Sequence, residues 1–155
     1  MTVNQVRQKI LVVDDSTDNI AMLRNTLHPD YKIYFALHGQ EALDLVASTN
    51  RPDLILLDIL MPGMDGFEVC RRLKAAKESQ DIPVIFITAK NEAEIEAKGL
   101  ELGAVDFISK PFNPPVVRAR IKTHLKLIQT FEQLKERENH LRSILEAAMD
   151  AIITT

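Results

Sequence analysis

At 155 residues the chain has the length of one globular domain with room for an appendage, and a domain of that size needs no covalent staples. Apolar residues at 46% and charged residues at 26% exclude a disordered or fibrous chain. The lone cysteine, Cys70, excludes a disulfide framework and a cysteine-built zinc site, and a net charge of −3 argues against binding nucleic acid through bulk positive charge.

Apolar runs are far shorter than the roughly 20 residues a bilayer span needs. The N-terminal stretch MTVNQVRQKI lacks the apolar core of a signal peptide. The expectation is a soluble cytoplasmic chain with no membrane and no direct nucleic-acid partner, kept in a reducing compartment.

In chain order, the first strand is expected at Ile10–Val13, followed by a helix marked by Ile20, Leu23 and Leu27. Tyr31–Ala36 mixes polar and aromatic residues as an edge strand does, and Ala42, Leu43, Leu45 and Val46 mark a second helix. Leu54–Leu57 is apolar throughout, the pattern of a strand buried on both faces. Phe67, Val69, Cys70 and Leu73 mark the third helix, with Cys70 in its core face. Val84–Ile87 is a fourth strand, Ile95, Leu100 and Leu102 a less regular helix, and Val105–Ile108 a fifth strand. Pro52 and Pro83 stand just before strands, where they cost no ladder hydrogen bond. Gly63 and Gly66 are read as loop residues after the third strand. The alternation predicts an α/β fold, a doubly wound (βα)5 parallel sheet.

From Asn113 to Ala148 there is no glycine, and the only prolines, Pro114 and Pro115, sit where a first helical turn tolerates them. This predicts an extended C-terminal helix roughly 54 Å long, too long to fold back on a domain with a radius of gyration near 13 Å. Leu127, Phe131, Leu134, Leu141, Leu145 and Ala148 follow a heptad register, with Glu138 at one seam position. The expectation is a two-stranded parallel coiled coil holding a homodimer, weakened by facing Glu138 carboxylates.

Ligands of open α/β sheets bind beyond the carboxyl ends of the strands. The first strand runs into Asp14 and Asp15, the third into Asp58, the fourth into Thr88, and the fifth leads to Lys110. Each has an ordinary explanation alone: Asp15 or Ser16 as a cap of the first helix, Thr88 as a cap of the fourth, Lys110 as a surface lysine. Together at one crevice, three carboxylates repel unless a cation neutralises them, and hard oxygen ligands suit Mg²⁺. A hydroxyl and a lysine beside them suit a phosphoryl group. The implied chemistry is Mg²⁺-dependent phosphoryl transfer with a carboxylate as acceptor.

The segments ILVVDDS, LILLDILMPGMDGFEV, PVIFITA and GAVDFISKPF resemble the receiver domain of two-component response regulators across roughly residues 8–125. That resemblance implies a flavodoxin-like sheet of strand order 2-1-3-4-5 and a receiver domain over residues 1–125. It implies Asp58 as the phosphoacceptor, supplied by a histidine kinase or phosphotransfer protein. Asp15, Asp58 and the backbone carbonyl of Leu60 would ligate Mg²⁺, with Asp14 acting mainly through water. Lys110, before a cis peptide to Pro111, and Thr88 would hold the phosphoryl oxygens, and Phe107 would follow Thr88 inward as the switch. Read without the resemblance, Phe107 is an ordinary core aromatic. Leu60 and Lys90 correspond to positions that tune phosphoryl lifetime in the family, and the apolar Leu60 implies slow self-dephosphorylation.

Residues 126–148 are expected as a signalling helix continuous with the fifth helix. The closing LRSILEAAMDAIITT resembles the opening of a PAS domain, so 149–155 is expected as the start of a truncated one. The absent output would be a histidine kinase or GGDEF-type cyclase. His28, His38, His124 and His140 lack ligand spacing, and Arg118, Arg120, Lys122 and Lys126 read as a solvated face pairing with acids such as Glu101 or Asp106. The alternative function is a haloacid-dehalogenase-type Mg²⁺-dependent phosphohydrolase, although its two aspartates stand two apart and here they are adjacent. A dinucleotide-binding module fails because no G-x-G-x-x-G occurs.

Overall fold

The computed structural model describes residues 7–48, 50–89 and 93–153. The chain divides into two units, Met1–Ile121 and Lys122–Thr155. The first contains β1 (Lys9–Val13), α1 (Thr17–Leu27), β2 (Lys32–Ala36), α2 (Gly39–Ala47), β3 (Leu54–Asp58), α3 (Gly66–Ala75), β4 (Val84–Thr88), α4 (Ala93–Glu101) and β5 (Asp106–Ser109). The helix α5 (Pro114–Ile153) begins in the first unit and makes up the described part of the second.

The five strands are parallel in the order β2-β1-β3-β4-β5, as expected. Every residue of β3 and β4 is buried, because helices cover both faces of the central strands. The edge strand β2 keeps polar and half-exposed positions. Strand order reverses on either side of β1, which opens a crevice beyond the carboxyl ends of β1 and β3.

Helix starts are capped from the sequence. Ser16 Oγ accepts the Asn19 N–H at 3.3 Å, His38 Nδ1 the Glu41 N–H at 3.3 Å, and Asp65 Oδ1 the Glu68 N–H at 2.9 Å. The expected faces of α1 and α3 are buried at Ile20, Leu23, Leu27, Val69, Cys70 and Leu73.

Three details depart from the sequence reading. Gly66 is the first residue of α3 rather than a loop glycine. Its N–H donates to Ile59 O at 2.8 Å, and a side chain there would run into the Asp58 carbonyl. Leu100, expected to mark the inner face of α4, is 52% exposed, and the buried residue of that helix is Gly99. Val105 precedes β5 and is exposed. In addition, α5 starts one residue after Asn113 and continues through Ile153, so residues 149–153 are helical, while 154–155 lie outside the described residues.

Gly99 lets α4 approach the sheet closely. A methyl group on it would lie 2.6 Å from Phe107 Cζ and 2.9 Å from Phe86 Cδ2. Helix propensity alone would favour alanine by about 1 kcal/mol, but overpacking typically costs about 1–3 kcal/mol. Gly99→Ala is therefore expected to lose about 1 kcal/mol in urea denaturation. An unchanged or higher midpoint would mean that α4 yields without cost.

Candidate functional site

The site is built at the carboxyl ends of β1, β3, β4 and β5. Asp14, directly after β1, is fully buried, and its N–H donates to Ala36 O at 3.1 Å. Its carboxylate is held by two donors: Ser16 N–H on Oδ1 at 2.9 Å and Asn19 Nδ2 on Oδ2 at 3.1 Å. Asp15 is exposed, and Asp58, the last residue of β3, is buried. Oxygens of Asp14, Asp15 and Asp58 lie within 4.8 Å of one another, a spacing that suits one hard cation.

Lys110 reaches into the cluster. Its Nζ is 3.5 Å from Asp58 Oδ2 and 3.6 Å from Asp14 Oδ2, one cation between two buried carboxylates. The Lys110 N–H donates to Thr88 O at 2.9 Å, which ties the lysine to the end of β4, and the Lys110–Pro111 peptide is cis. Burial pushes the Asp58 carboxyl up to about 6, the Asp14 charge and a hydrogen bond shared with Asp14 add to the rise, and Lys110 and a backbone hydrogen bond from Leu60 oppose it.

Thr88, the last residue of β4, is buried and pairs in register with Ser109. Leu60, two residues past Asp58, is 72% exposed. Lys90 lies outside the described residues. Phe107 is buried, with its ring 5.8 Å from that of Phe86 and against Gly99, so the swing expected of it is represented here by its inward pose. Arg120, expected in a solvated basic face, pairs with Asp106 at 3.8 Å and donates to the Phe107 carbonyl, which ties β5 to α5.

Two residues were missed in the sequence. Asn19 lies five residues past Asp14, and its role as a second donor appears only once α1 is wound from its Ser16 cap. Arg120 was seen as charge, but its backbone contact on β5 needs the packing of α5 against the sheet. Cys70 is core as expected, with Sγ 3.7 Å from Leu102 O.

Three carboxylates and a lysine around one point can bind a divalent cation and a phosphoryl group, with an Asp58 oxygen facing phosphorus. The group also affects stability. Asp58 holds its proton more tightly in the folded chain than in the unfolded one, so the folded chain carries more protons between pH of roughly 4 and about 6. The stability Asp58 contributes is present below that window and is lost as pH rises through it. In chelator, Asp58→Asn is expected to stabilise the protein at neutral pH by on the order of 1 kcal/mol, and the gain should shrink as pH falls toward 4. A gain that grows on acidification in denaturant titrations would reverse the assignment.

A family model described as the response regulator receiver domain matches residues 10–122. A probable cyclic di-GMP phosphodiesterase of Vibrio cholerae is 42% identical over 134 residues, covering 86% of this chain and 30% of the relative. Response regulator PleD of Caulobacter vibrioides is 40% identical over 131 residues, 84% of this chain and 29% of its own length. The chain thus spans less than a third of either relative. Among solved structures, chemotaxis protein CheY4 of Vibrio cholerae superposes with a TM-score of 0.72 at 30% identity, covering 76% of this chain and 98% of that one. These matches leave the phosphohydrolase alternative without support, in keeping with the adjacency of Asp14 and Asp15.

Proposed function

The chain belongs to the response regulator receiver domain family, a receiver of two-component signalling, and on that premise we propose that Asp58 is its phosphoacceptor. The observation that carries this is Asp58 at the strand end, buried beside Asp14 and bridged to it by Lys110. An Asp58 oxygen attacks phosphorus of a phosphohistidine on a histidine kinase or phosphotransfer protein. The P–N bond breaks, the imidazole leaves with its electron pair and takes up a proton, and an aspartyl phosphate results.

Receiver domains bind Mg²⁺ at such an acidic pocket, and the clustered oxygens here fit it. Asp15, Asp58 and the Leu60 carbonyl would hold the ion directly. Asp14, with both oxygens already accepting N–H groups, would act through water. When bound, Mg²⁺ supplies neutralisation of the charge on the phosphoryl oxygens. Lys110 binds one of these oxygens and Thr88 another, and Phe107, packed under Gly99, couples that movement to α4. The exposed apolar Leu60 has no group to orient a water at phosphorus, which supports slow self-dephosphorylation. The chain's chemistry is this phosphotransfer and the hydrolysis of its own aspartyl phosphate, and the cytoplasm is the compartment of such a kinase partner.

The second unit exposes Leu127, Phe131, Leu134, Leu141 and Leu145. Burying five such residues in a homodimer contributes roughly 1.5–3 kcal/mol each, and association costs about 4–15 kcal/mol, so a dimer of modest affinity is proposed. It would carry the phosphorylation signal along α5 toward an output. Among the described residues no helix is long and apolar enough to cross a membrane.

With acetyl phosphate and Mg²⁺, the chain is expected to take up one acyl phosphate, and Asp58→Asn to take up none. Undiminished labelling of the variant would overturn the assignment. Multiple turnover of assorted phosphate esters would point back to a hydrolase.

Lys110→Ala and Thr88→Ala are expected to retain Mg²⁺ binding within about tenfold while losing the phosphorylation-dependent structural change, since each acts on phosphoryl oxygens. Loss of Mg²⁺ affinity as complete as in Asp15→Ala would show that these roles are misassigned.

A further inference from the structure

In the second unit, the exposed apolar row of α5 steps by four and three residues from Leu127 to Ile152 and is interrupted by Glu138. The residues that flank this interruption are both arginines. Arg142 lies one turn on and pairs with Glu138 at 3.5 Å, with both side chains well exposed. Arg137 immediately precedes Glu138 and stands on the opposite edge of the same seam. In the next heptad the equivalent edges carry Ile144 and Met149, which are apolar and exposed. In the preceding heptad the same edges carry Thr130 and Lys135, so guanidiniums occupy both edges only at the layer where the seam is acidic.

In a parallel, in-register pair of helices, a seam residue packs beside its own counterpart and the preceding edge residue of the facing helix. Each Glu138 would then lie beside the partner subunit's Arg137 while keeping its own Arg142. Arg137 would also face the partner subunit's Arg142 across the edge. Resting on the homodimer proposed above, we infer that Glu138 is the centre of an ionic layer between two copies of this chain, two carboxylates among four guanidiniums. Each Glu138 would stand between its own Arg142 and the partner subunit's Arg137, so the two carboxylates offset the Arg137–Arg142 contacts, and this match selects a second copy as the occupant of the face.

The layer changes what Glu138 does. Viewed as an isolated seam residue it is a repulsive defect. With the arginines included, its removal leaves four guanidiniums facing one another with no counter-charge. The layer also sets register. A shift of one heptad would place Glu138 against Phe131 or Leu145, where a carboxylate meets an apolar layer without its facing arginine. A buried polar seam residue that penalises wrong alignments is the best-attested use of such groups.

The test is sedimentation equilibrium of the full chain at low and moderate salt. Glutamine keeps shape and helix propensity. E138Q is expected to weaken the dimer roughly three- to tenfold at low salt, and the deficit should shrink as added salt screens the arginines. In an R137Q/R142Q background the same substitution should tighten the dimer, because only carboxylate repulsion is then removed. That inversion of sign is the signature of the layer, and tightening by E138Q in the wild-type background would overturn it. The dimer itself is read separately with L134A/L141A. If this pair dissociates a dimer that E138Q tightens, the homodimer stands and the ionic layer falls. A chain that sediments as a monomer under all conditions overturns both.

Discussion

The structure is organised around two carboxylates that a water-rich surface would never bring together. Asp14 and Asp58 end neighbouring strands, are both buried, and share one lysine between them. Burial, and after it repulsion from Asp14, pushes the Asp58 carboxyl up to about 6 and makes the crevice receptive to positive charge. The fold tolerates this because the strands leading into the crevice are apolar and covered on both faces, so hydrophobic burial offsets the electrostatic cost. The Ser16 N–H and the Asn19 amide satisfy and orient the more deeply buried carboxylate. A cation bound among these carboxylates would relieve their repulsion, and the phosphoryl group proposed for Asp58 would add negative charge for that cation and Lys110 to offset.

The switch proposed at Phe107 would act on β5 and α4. Phe107 packs against Phe86, which meets Phe67 edge-on at 5.4 Å, and Gly99 brings the α4 backbone onto the first two rings. Among the described residues, α4 buries no large side chain outright, and Lys98 lies 4.6 Å from the Phe67 ring centroid. A helix seated on a glycine and a cation–π contact is less firmly anchored than α1 or α3, each of which buries several aliphatic side chains. Arg120 holds the β5 backbone from the other side through the Phe107 carbonyl and Asp106. Phe107 is therefore clamped at its main chain while its ring sits against a helix with few anchors.

The second unit illustrates a different balance. Its apolar row is long enough for a partner but interrupted by charge, and the surrounding arginines decide whether that charge is a defect or a match. Ionic layers contribute little to affinity when exposed and much to alignment when buried. In the homodimer proposed above, this arrangement would define the register of α5 while leaving its affinity adjustable.

How much of this was legible in the chain depends on how local each cause is. Strands such as Leu54–Leu57 and Val84–Ile87 could be read directly because burial on both faces demands uninterrupted aliphatic residues. The grouping of Asp14, Asp15, Asp58, Thr88 and Lys110 followed from the rule that strand ends converge, together with the resemblance of their segments to receivers. The inner face of α4 was misjudged because periodicity registers apolar side chains, and the residue that matters there, Gly99, acts by having none. Gly66 reads as a loop glycine for the same reason, although it opens α3. The sequence by itself determined the alternation of elements, the sheet order implied by the resemblance and the identity of the acidic cluster, since these depend on residue type at known spacing. Only the tertiary structure decided that Asn19 supports Asp14, that Arg120 grips β5, that Phe107 lies inward and that Asp58 resists ionisation. Each of these is a distance between segments far apart in the chain or a consequence of solvent exclusion, and neither is set until the sheet and helices have packed.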